Sequence, residues 1–163
     1  MEAGGLPGVA ATFTSDKLTL NGAGKFAIGG PEGDNGLSGK KLVIDHYGPG
    51  VPIGGGALAG KDPHKVDKCG ALRARQWAKK LVRQGVDEAR VTLGWVPGGD
   101  APFLIEAWTS QGGVNLQLPS DELPVEEWLT VNSIVRDLEL AERDWAADLL
   151  AGYFCQSVAP WER

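Results

Sequence analysis

The chain has 163 residues, of which 42% are apolar and 23% charged, the usual balance of a globular protein able to bury one core. A net charge of −5 argues against general nucleic-acid binding, and no apolar run approaches the roughly 20 residues of a membrane-spanning helix. The first residues lack the basic and apolar stretches of a secretory signal, so we expect a cytoplasmic protein. The cysteines show no Cys-x-x-Cys spacing and indicate neither a disulfide framework nor a zinc site.

Glycine is the unusual component. The 24 glycines are about twice the usual share of roughly 7%, and most of them lie in residues 1–60. Residues 1–12 are small, glycine-rich and without periodicity, which predicts a flexible tail. Residues 13–163 are predicted to form a single domain, with glycine-rich loops at 29–40 and 48–60.

Short strands are predicted in the first third of the chain. Residues 25–28 alternate, with Phe26 and Ile28 on one face, and residues 41–47 (KLVIDHY) have the composition of a buried strand. Residues 17–20 are a further short candidate.

Asp62 is predicted to begin the clearest helix. Asp at the N-cap accepts bonds from the free N–H groups of the first turn, and Pro63 suits the first helical position. Gly85 is predicted to end the helix. The apolar stripe has helical spacing, and the opposite face is predicted to be solvated; that face carries Arg75, Lys79, Lys80 and Arg83.

The rest of the chain predicts a sheet covered by helices. Residues 88–96 and 102–108 indicate a hairpin, residues 114–118 a further strand, and residues 124–140 and 141–152 helices. Tryptophans concentrated near the C-terminus indicate a well-packed layer there. We therefore expect an α+β fold, a two-layer sandwich of a mostly antiparallel sheet with helices on one face.

The segment 54–67 has the composition of an anion site. Its glycines lead directly into a helix N-terminus, whose free N–H groups and partial positive charge favour an anion. Lys61 and Lys65 are spaced to reach the same anion, and Asp67 is placed to hold a magnesium ion beside it. Residues 55–62 nearly match the phosphate-binding P-loop pattern G-x-x-x-x-G-K-[ST], but Asp62 stands where that pattern requires Ser or Thr. From residues alone, a polyphosphate site and a simple glycine turn capped by Asp62 both remain open.

The loop of residues 29–41 is a second candidate. Its glycines allow a ligand close to the backbone, and Asp34 is suited to hold an ammonium group. Lys40 and Lys41 would add positive charge to a phosphate pocket. An ordinary turn explains the same Gly, Asp and Asn residues.

Together the two loops resemble the C-terminal domain of methionine adenosyltransferases (S-adenosylmethionine synthetases). The chain has GKFAIGGPEGDNGLSGKK followed by GGGALAGKDPHKVDK. The family has G-R-F-x-I-G-G-P-x-G-D-x-G-L-T-G-R-K and then G-G-G-A-F-S-G-K-D-P-x-K-V-D-R. The APWE ending is similar to the family's Phe-Pro-Trp-Glu terminus. The resemblance covers about residues 24–163.

The resemblance implies an enzyme that joins ATP to methionine and hydrolyses the released triphosphate, with Mg2+ and K+. It implies that Lys61 and Lys65 hold the triphosphate with help from Lys41, and that Asp67 is a magnesium ligand. It further implies a place for Lys40 in the phosphate pocket, for Phe26 near the adenine and for Asp34 at the methionine amino group. Active sites between two subunits, and hence a homo-oligomer, follow from the same family.

The departures from the family pattern matter for activity. Lys40 replaces an arginine and loses its bidentate fork for phosphate, and Pro52-Ile53 replaces an Arg-His pair. The family's N-terminal G-H-P-D-K segment, which contributes to the reaction centre, is absent from this sequence. We therefore expect the chain alone to be inactive.

Three hypotheses follow. The chain is a split part of a methionine adenosyltransferase that works with an N-terminal partner piece, or it is a non-catalytic domain that binds ATP, S-adenosylmethionine or polyphosphate. The third is a structural relic whose loops bind nothing.

Overall fold

The structure, a computed structural model, describes residues 22–25, 27–33, 41–113 and 125–163. Three predicted site residues, Phe26, Asp34 and Lys40, lie outside these ranges. So do the predicted tail at 1–12 and the predicted strands at 17–20 and 114–118. In the described ranges no helix is long and apolar enough to cross a membrane.

The element order is α1 (Gly30–Gly33), α2 (Leu42–Tyr47), α3 (Val66–Arg83), β1 (Ala89–Gly94), β2 (Leu104–Thr109), β3 (Gly112–Gly113), α4 (Val125–Trp128), α5 (Val131–Asp137) and α6 (Trp145–Ala151). Short 3-10 turns occupy Leu140–Glu142 and Pro160–Glu162. The strands form one antiparallel sheet in the order β1-β2-β3. The predicted α+β class is thus confirmed.

The predicted hairpin is confirmed, with Val91 opposite Ala107 in its register. Its inward side chains pack on α3, against Trp77 and Leu81, in a core that also contains Trp128 and Leu129. Trp77 and Trp128 meet edge to face with ring centroids 5.6 Å apart, a favoured aromatic geometry. One face of α3 is therefore covered by the sheet and by the end of α4.

A second core lies on the other side of α3. Cys69 and Leu72 of α3 pack against Ile134 and Leu138, which α5 and its C-cap supply, and against Trp161 near the C-terminus. The predicted helix over 124–140 is interrupted at Thr130, whose hydroxyl caps α5 by accepting from the Ser133 N–H at 3.2 Å. The break lets the chain turn between the two cores.

The predicted strand at residues 41–47 is wrong, because this segment is helix α2. The Asp45 and Gly48 N–H groups donate to the Lys41 and Ile44 carbonyl oxygens at 2.9 and 3.0 Å. Strand propensity reflects fit to a half-buried pleated surface, and context overrides it where no such surface is offered. The predicted strand at 25–28 is also wrong for its described residues, and the Ile28 side chain is 57% exposed.

The C-terminus docks on α3. Trp161 is fully buried and stacks on Trp145, with the rings inclined by 10°. Glu162 accepts hydrogen bonds from Arg75 and Lys79, and its main-chain oxygen accepts from Arg83 at 2.6 Å. The prediction of a solvated face is therefore wrong for Arg75, Lys79 and Arg83, which bind the chain's own terminal segment.

The environment of Glu162 favours its ionised form. Burial raises the pKa of Glu162, but the hydrogen bonds from Arg75 and Lys79 outweigh burial and leave that pKa below its ordinary value. Glu162 is therefore a carboxylate at neutral pH and holds the terminal segment by charge.

The substitution Glu162→Gln keeps the side-chain size and removes the charge. We expect it to lower the free energy of unfolding by about 1.5–3 kcal/mol, the range for hydrogen bonds to charged groups. Urea denaturation at pH 7 measures this loss. The matched control is Glu106→Gln on β2, an exposed position where the change should cost less than about 0.5 kcal/mol.

The pH dependence separates loss of charge from loss of packing. A carboxyl group with a lowered folded pKa stabilises the protein above its unfolded pKa, about 4.3, and loses that contribution as the pH falls through the folded value. The stability gap between the wild type and Glu162→Gln should therefore be widest near neutral pH and close in acid. A gap that is independent of pH would contradict the electrostatic explanation.

Candidate functional site

The glycine loop lies against the first turn of α3. The Asp67 carboxylate accepts a hydrogen bond from the Gly55 N–H at 3.2 Å. The Lys61 ammonium donates to the Gly55 carbonyl oxygen at 2.7 Å, and it lies 4.0 Å from the other Asp67 oxygen. We call Gly55, Lys61 and Asp67 the loop cluster. It joins two of the residues predicted to bind phosphate and metal.

The loop approaches Asp67 so closely that residue 55 has no room for a side chain. A Cβ at Gly55 would lie 2.2 Å from the Asp67 Cγ, well inside any van der Waals contact. At Gly54 a Cβ would lie 3.7 Å from the nearest Asp67 oxygen, an ordinary contact. Gly55 is therefore required by the close approach, whereas Gly54 is not.

Helix α3 begins at Val66, later than predicted. The Asp62 carboxylate accepts from the His64 N–H at 2.8 Å and so closes a turn before the helix, while Lys65 is the N-cap. The prediction of Asp62 as N-cap is therefore wrong. The hydrogen bond from the His64 N–H lowers the pKa of Asp62, which keeps it ionised beside the loop.

The other two predicted lysines are exposed. Lys65 stands at the N-cap of α3, next to the loop cluster in sequence, and its side chain is open to solvent. Lys41 is the N-cap of α2, in a separate segment. Among the described residues, no hydrogen bond or ion pair joins the Lys41 side chain to the loop cluster. The structure thus brings Lys61 and Asp67 into contact, whereas the Lys41 side chain contacts neither of them within the described residues.

The loop cluster fits a metal that arrives with its ligand. Within the described ranges, no three His, Cys, Asp or Glu side chains come together as metal ligands. Asp67 offers one carboxylate, and its side chain is 43% exposed. Magnesium is commonly held by one or two carboxylates plus phosphate oxygens, so Asp67 suits a magnesium–polyphosphate rather than a metal held by protein alone.

A shallow acidic pocket lies elsewhere on the surface and does not suit an anion. Glu139, Glu142, Asp144 and Asp148 line it, with Arg143. Arg143 is already bound to Asp148 by two hydrogen bonds of 2.6 Å, so its charge is compensated. The loop cluster, with Lys61 and the neighbouring exposed Lys65, remains the better candidate for phosphate.

Sequence reasoning missed Lys68. Its side chain is buried in the first turns of α3, and its ammonium donates to the Lys61 carbonyl oxygen at 3.0 Å. Nothing in the spacing of the charged residues distinguishes Lys68 from a solvated lysine, because its aromatic neighbour, Trp145, lies far along the chain.

Fold and site together define an α+β domain with a glycine loop set against the start of a long helix. The chain belongs to the S-adenosylmethionine synthetase family: the family model described as "S-adenosylmethionine synthetase, C-terminal domain" matches residues 28–163. The resemblance inferred from the two glycine loops is thereby confirmed.

Individual relatives agree with the family match. The chain is 37% identical to the S-adenosylmethionine synthase of Deinococcus radiodurans over 146 residues, and 38% identical to that of Wolinella succinogenes over 154 residues. These alignments cover 88% and 90% of the chain but 36% and 39% of the relatives. The chain thus spans little more than a third of their length.

A solved structure supports the fold. The chain is similar to an unusual S-adenosylmethionine synthetase from Campylobacter jejuni, with a TM-score of 0.58 and 28% identity. The similarity covers 78% of the chain and 35% of that structure.

The close approach at Gly55 gives a testable prediction. Gly55→Ala should displace the loop from Asp67 and break the Gly55–Asp67 hydrogen bond, whereas Gly54→Ala should leave it in place. The amide chemical shift of Asp67 in 1H–15N NMR spectra, which neither substitution changes directly, measures the difference. Equal, small shifts in both variants would show that the loop does not lie against Asp67.

Proposed function

We propose that this chain is the C-terminal part of an S-adenosylmethionine synthetase and that its loop cluster binds the triphosphate of ATP. The observation that carries this proposal is the contact of Lys61 and Asp67 with Gly55, within a family match over residues 28–163. Residues 13–163 would form one domain in which this site is built.

The roles follow from the chemistry of the side chains. A lysine ammonium has three donors, and only one Lys61 donor is used by Gly55, so others are free for phosphate oxygens. Exposed Lys65 adds a second positive charge at the same helix start. Asp67 would hold Mg2+, which neutralises part of the phosphate charge when bound. Lys41 would assist from α2.

The remaining roles rest on the family resemblance. Lys40 would join the phosphate pocket, Phe26 would lie near the adenine, and Asp34 would hold the methionine amino group. Potassium is proposed on the same ground, without an assigned ligand. ATP and methionine would be the substrates.

Catalysis would need residues beyond those in this chain. The family's Gly-His-Pro-Asp-Lys segment supplies a histidine and an aspartate, and the match covers little more than a third of the relatives. We propose that the remaining part of such a synthetase supplies these groups, within a homo-oligomer or a hetero-oligomer. A non-catalytic domain that binds ATP, S-adenosylmethionine or polyphosphate is the alternative outcome.

The phosphate site is tested by binding of tripolyphosphate with Mg2+. Lys61→Ala should weaken binding by about tenfold to a hundredfold, the loss of a hydrogen bond to a charged group. Lys65→Ala should weaken it less, because an exposed lysine is screened by solvent. Isothermal titration calorimetry measures each dissociation constant.

The control is Arg136→Ala, which removes the same charge from an exposed position on α5. Its affinity should stay within about twofold of the wild type, since salt screens distant surface charges. If Lys61→Ala and Lys65→Ala both retain wild-type affinity, the loop cluster is not the phosphate site.

The catalytic part of the proposal needs a separate assay. The chain is incubated with ATP, methionine, Mg2+ and K+, and S-adenosylmethionine is measured by mass spectrometry. We expect no product from the chain alone and product after addition of the N-terminal and central parts of the Wolinella succinogenes enzyme. Tripolyphosphate binding without product in either mixture would favour the non-catalytic domain.

A further inference from the structure

Lys68 is the most deeply buried lysine of the described residues, with 1% of its surface exposed. Lysines are almost never buried without a partner, because removing the ammonium from water is costly. Within the described ranges the Lys68 ammonium forms no salt bridge, and burial lowers the pKa of Lys68. The charges of Asp62 and Asp148, beyond salt-bridge distance, offset part of this effect of burial, so close contacts of another kind must also hold the ammonium here.

Two contacts surround the ammonium. It lies 3.4 Å from the centroid of the Trp145 ring, over its face, which is a cation–π contact. It also donates a hydrogen bond to the main-chain oxygen of Lys61 at 3.0 Å. Lys68 therefore connects the aromatic layer near the C-terminus to the residue that carries the proposed phosphate contact.

The aromatic side of this connection is rigid. Trp145 stacks on the fully buried Trp161, and the Arg143 guanidinium lies 4.8 Å from the Trp161 ring centroid. Arg143 in turn is fixed by its two hydrogen bonds to Asp148. Lys68 thus rests on a stack of side chains that are themselves held.

On the loop side, Leu58 packs against the second core, while the main chain at Lys61 has few hydrogen bonds of its own. The Lys61 N–H is 3.5 Å from the Leu58 carbonyl oxygen, at the limit of a hydrogen bond, and Gly60 has a positive φ of 76°. The side chain of Lys61 reaches back to Gly55. Of the hydrogen bonds described for the Lys61 main chain, the one from Lys68 at 3.0 Å is the shorter, so it is the better placed to fix the main chain at this residue.

We propose that Lys68 is a positioning residue that fixes the main chain at Lys61 and so sets the place of the Lys61 ammonium in the phosphate site. The inference rests on the proposed function, since it assigns Lys68 to the same site. An apolar side chain would cover Trp145 without the cost of burying an amine, so packing alone does not account for a lysine. The hydrogen bond to the Lys61 carbonyl oxygen does.

The test uses two variants of the full chain. Lys68→Met keeps the length and the contact with Trp145 but removes the donor, and Lys68→Arg keeps both a donor and a cation for the ring. The first readout needs no ligand: acetylation of each lysine by an amine-reactive ester, followed by mass spectrometry. We expect Lys61 to react several-fold faster in Lys68→Met, while exposed Lys41 reacts at the wild-type rate.

The second readout is tripolyphosphate affinity by calorimetry. Lys68→Met should weaken binding by about twofold to tenfold, the range for loss of one hydrogen bond, and Lys68→Arg should restore most of it. In a Lys61→Met background, the Lys68→Met change should have little further effect, because Lys68 acts through Lys61. Equal losses in both backgrounds would show a merely structural role and overturn the inference.

The two proposals fail in different ways. Unchanged acetylation of Lys61 in a folded Lys68→Met variant overturns the positioning role, whatever happens to affinity. If the wild-type chain binds no tripolyphosphate, the proposed phosphate site is rejected. If Lys61 nevertheless reacts faster in Lys68→Met, the role of Lys68 in anchoring the loop still holds. If Lys68→Met does not fold, the same two measurements are made on folded Lys68→Arg, which keeps the hydrogen-bond donor. Faster acetylation of Lys61 or weaker tripolyphosphate binding in Lys68→Arg would overturn the inference.

Discussion

Helix α3 is covered on two sides, and this constraint governs the rest of the structure. The sheet packs on one side through Trp77 and Leu81, while α5 and the terminal segment pack on another. A helix in this position cannot send all its long charged side chains into solvent. Its buried cations need partners, because an unpaired buried charge destabilises a protein strongly.

Four cations of α3 find partners outside the helix. Arg73 binds Asp137 at 2.8 Å and lies over the Trp128 ring, and Lys68 lies over Trp145. Arg75 and Lys79 share the Glu162 carboxylate. These partners all come from the last third of the chain, so the C-terminal segments supply the counter-groups that allow α3 to be buried.

This dependence explains what the sequence could and could not predict. The existence of the long helix, the hairpin and the glycine loop followed from local signals: apolar period, turn residues and glycine density. The pairing of Arg75 with Glu162 joins residues 87 positions apart, and nothing in the helix itself distinguishes a paired arginine from a solvated one. For the same reason the sequence does not distinguish Lys68 from a solvated lysine. The segment of α2 has the composition of a strand but forms a helix, because its apolar residues meet no neighbouring strand of the described sheet. The candidate site was found where its residues are adjacent in sequence, at Lys61, Lys65 and Asp67.

The two ends of α3 differ in the groups that surround their cations. Towards the C-terminal end, Glu162 offsets part of the positive charge of Arg75 and Lys79, and it is held there by burial as well as by charge. At the N-terminal end, Lys61 and Lys65 lie near two carboxylates, Asp62 and Asp67, at a point where the helix dipole favours negative charge. A magnesium ion on Asp67 would offset that carboxylate and leave the two lysines for phosphate oxygens. In a protein with a net charge of −5, the local positive charge that a polyphosphate needs would therefore come from these lysines together with the metal.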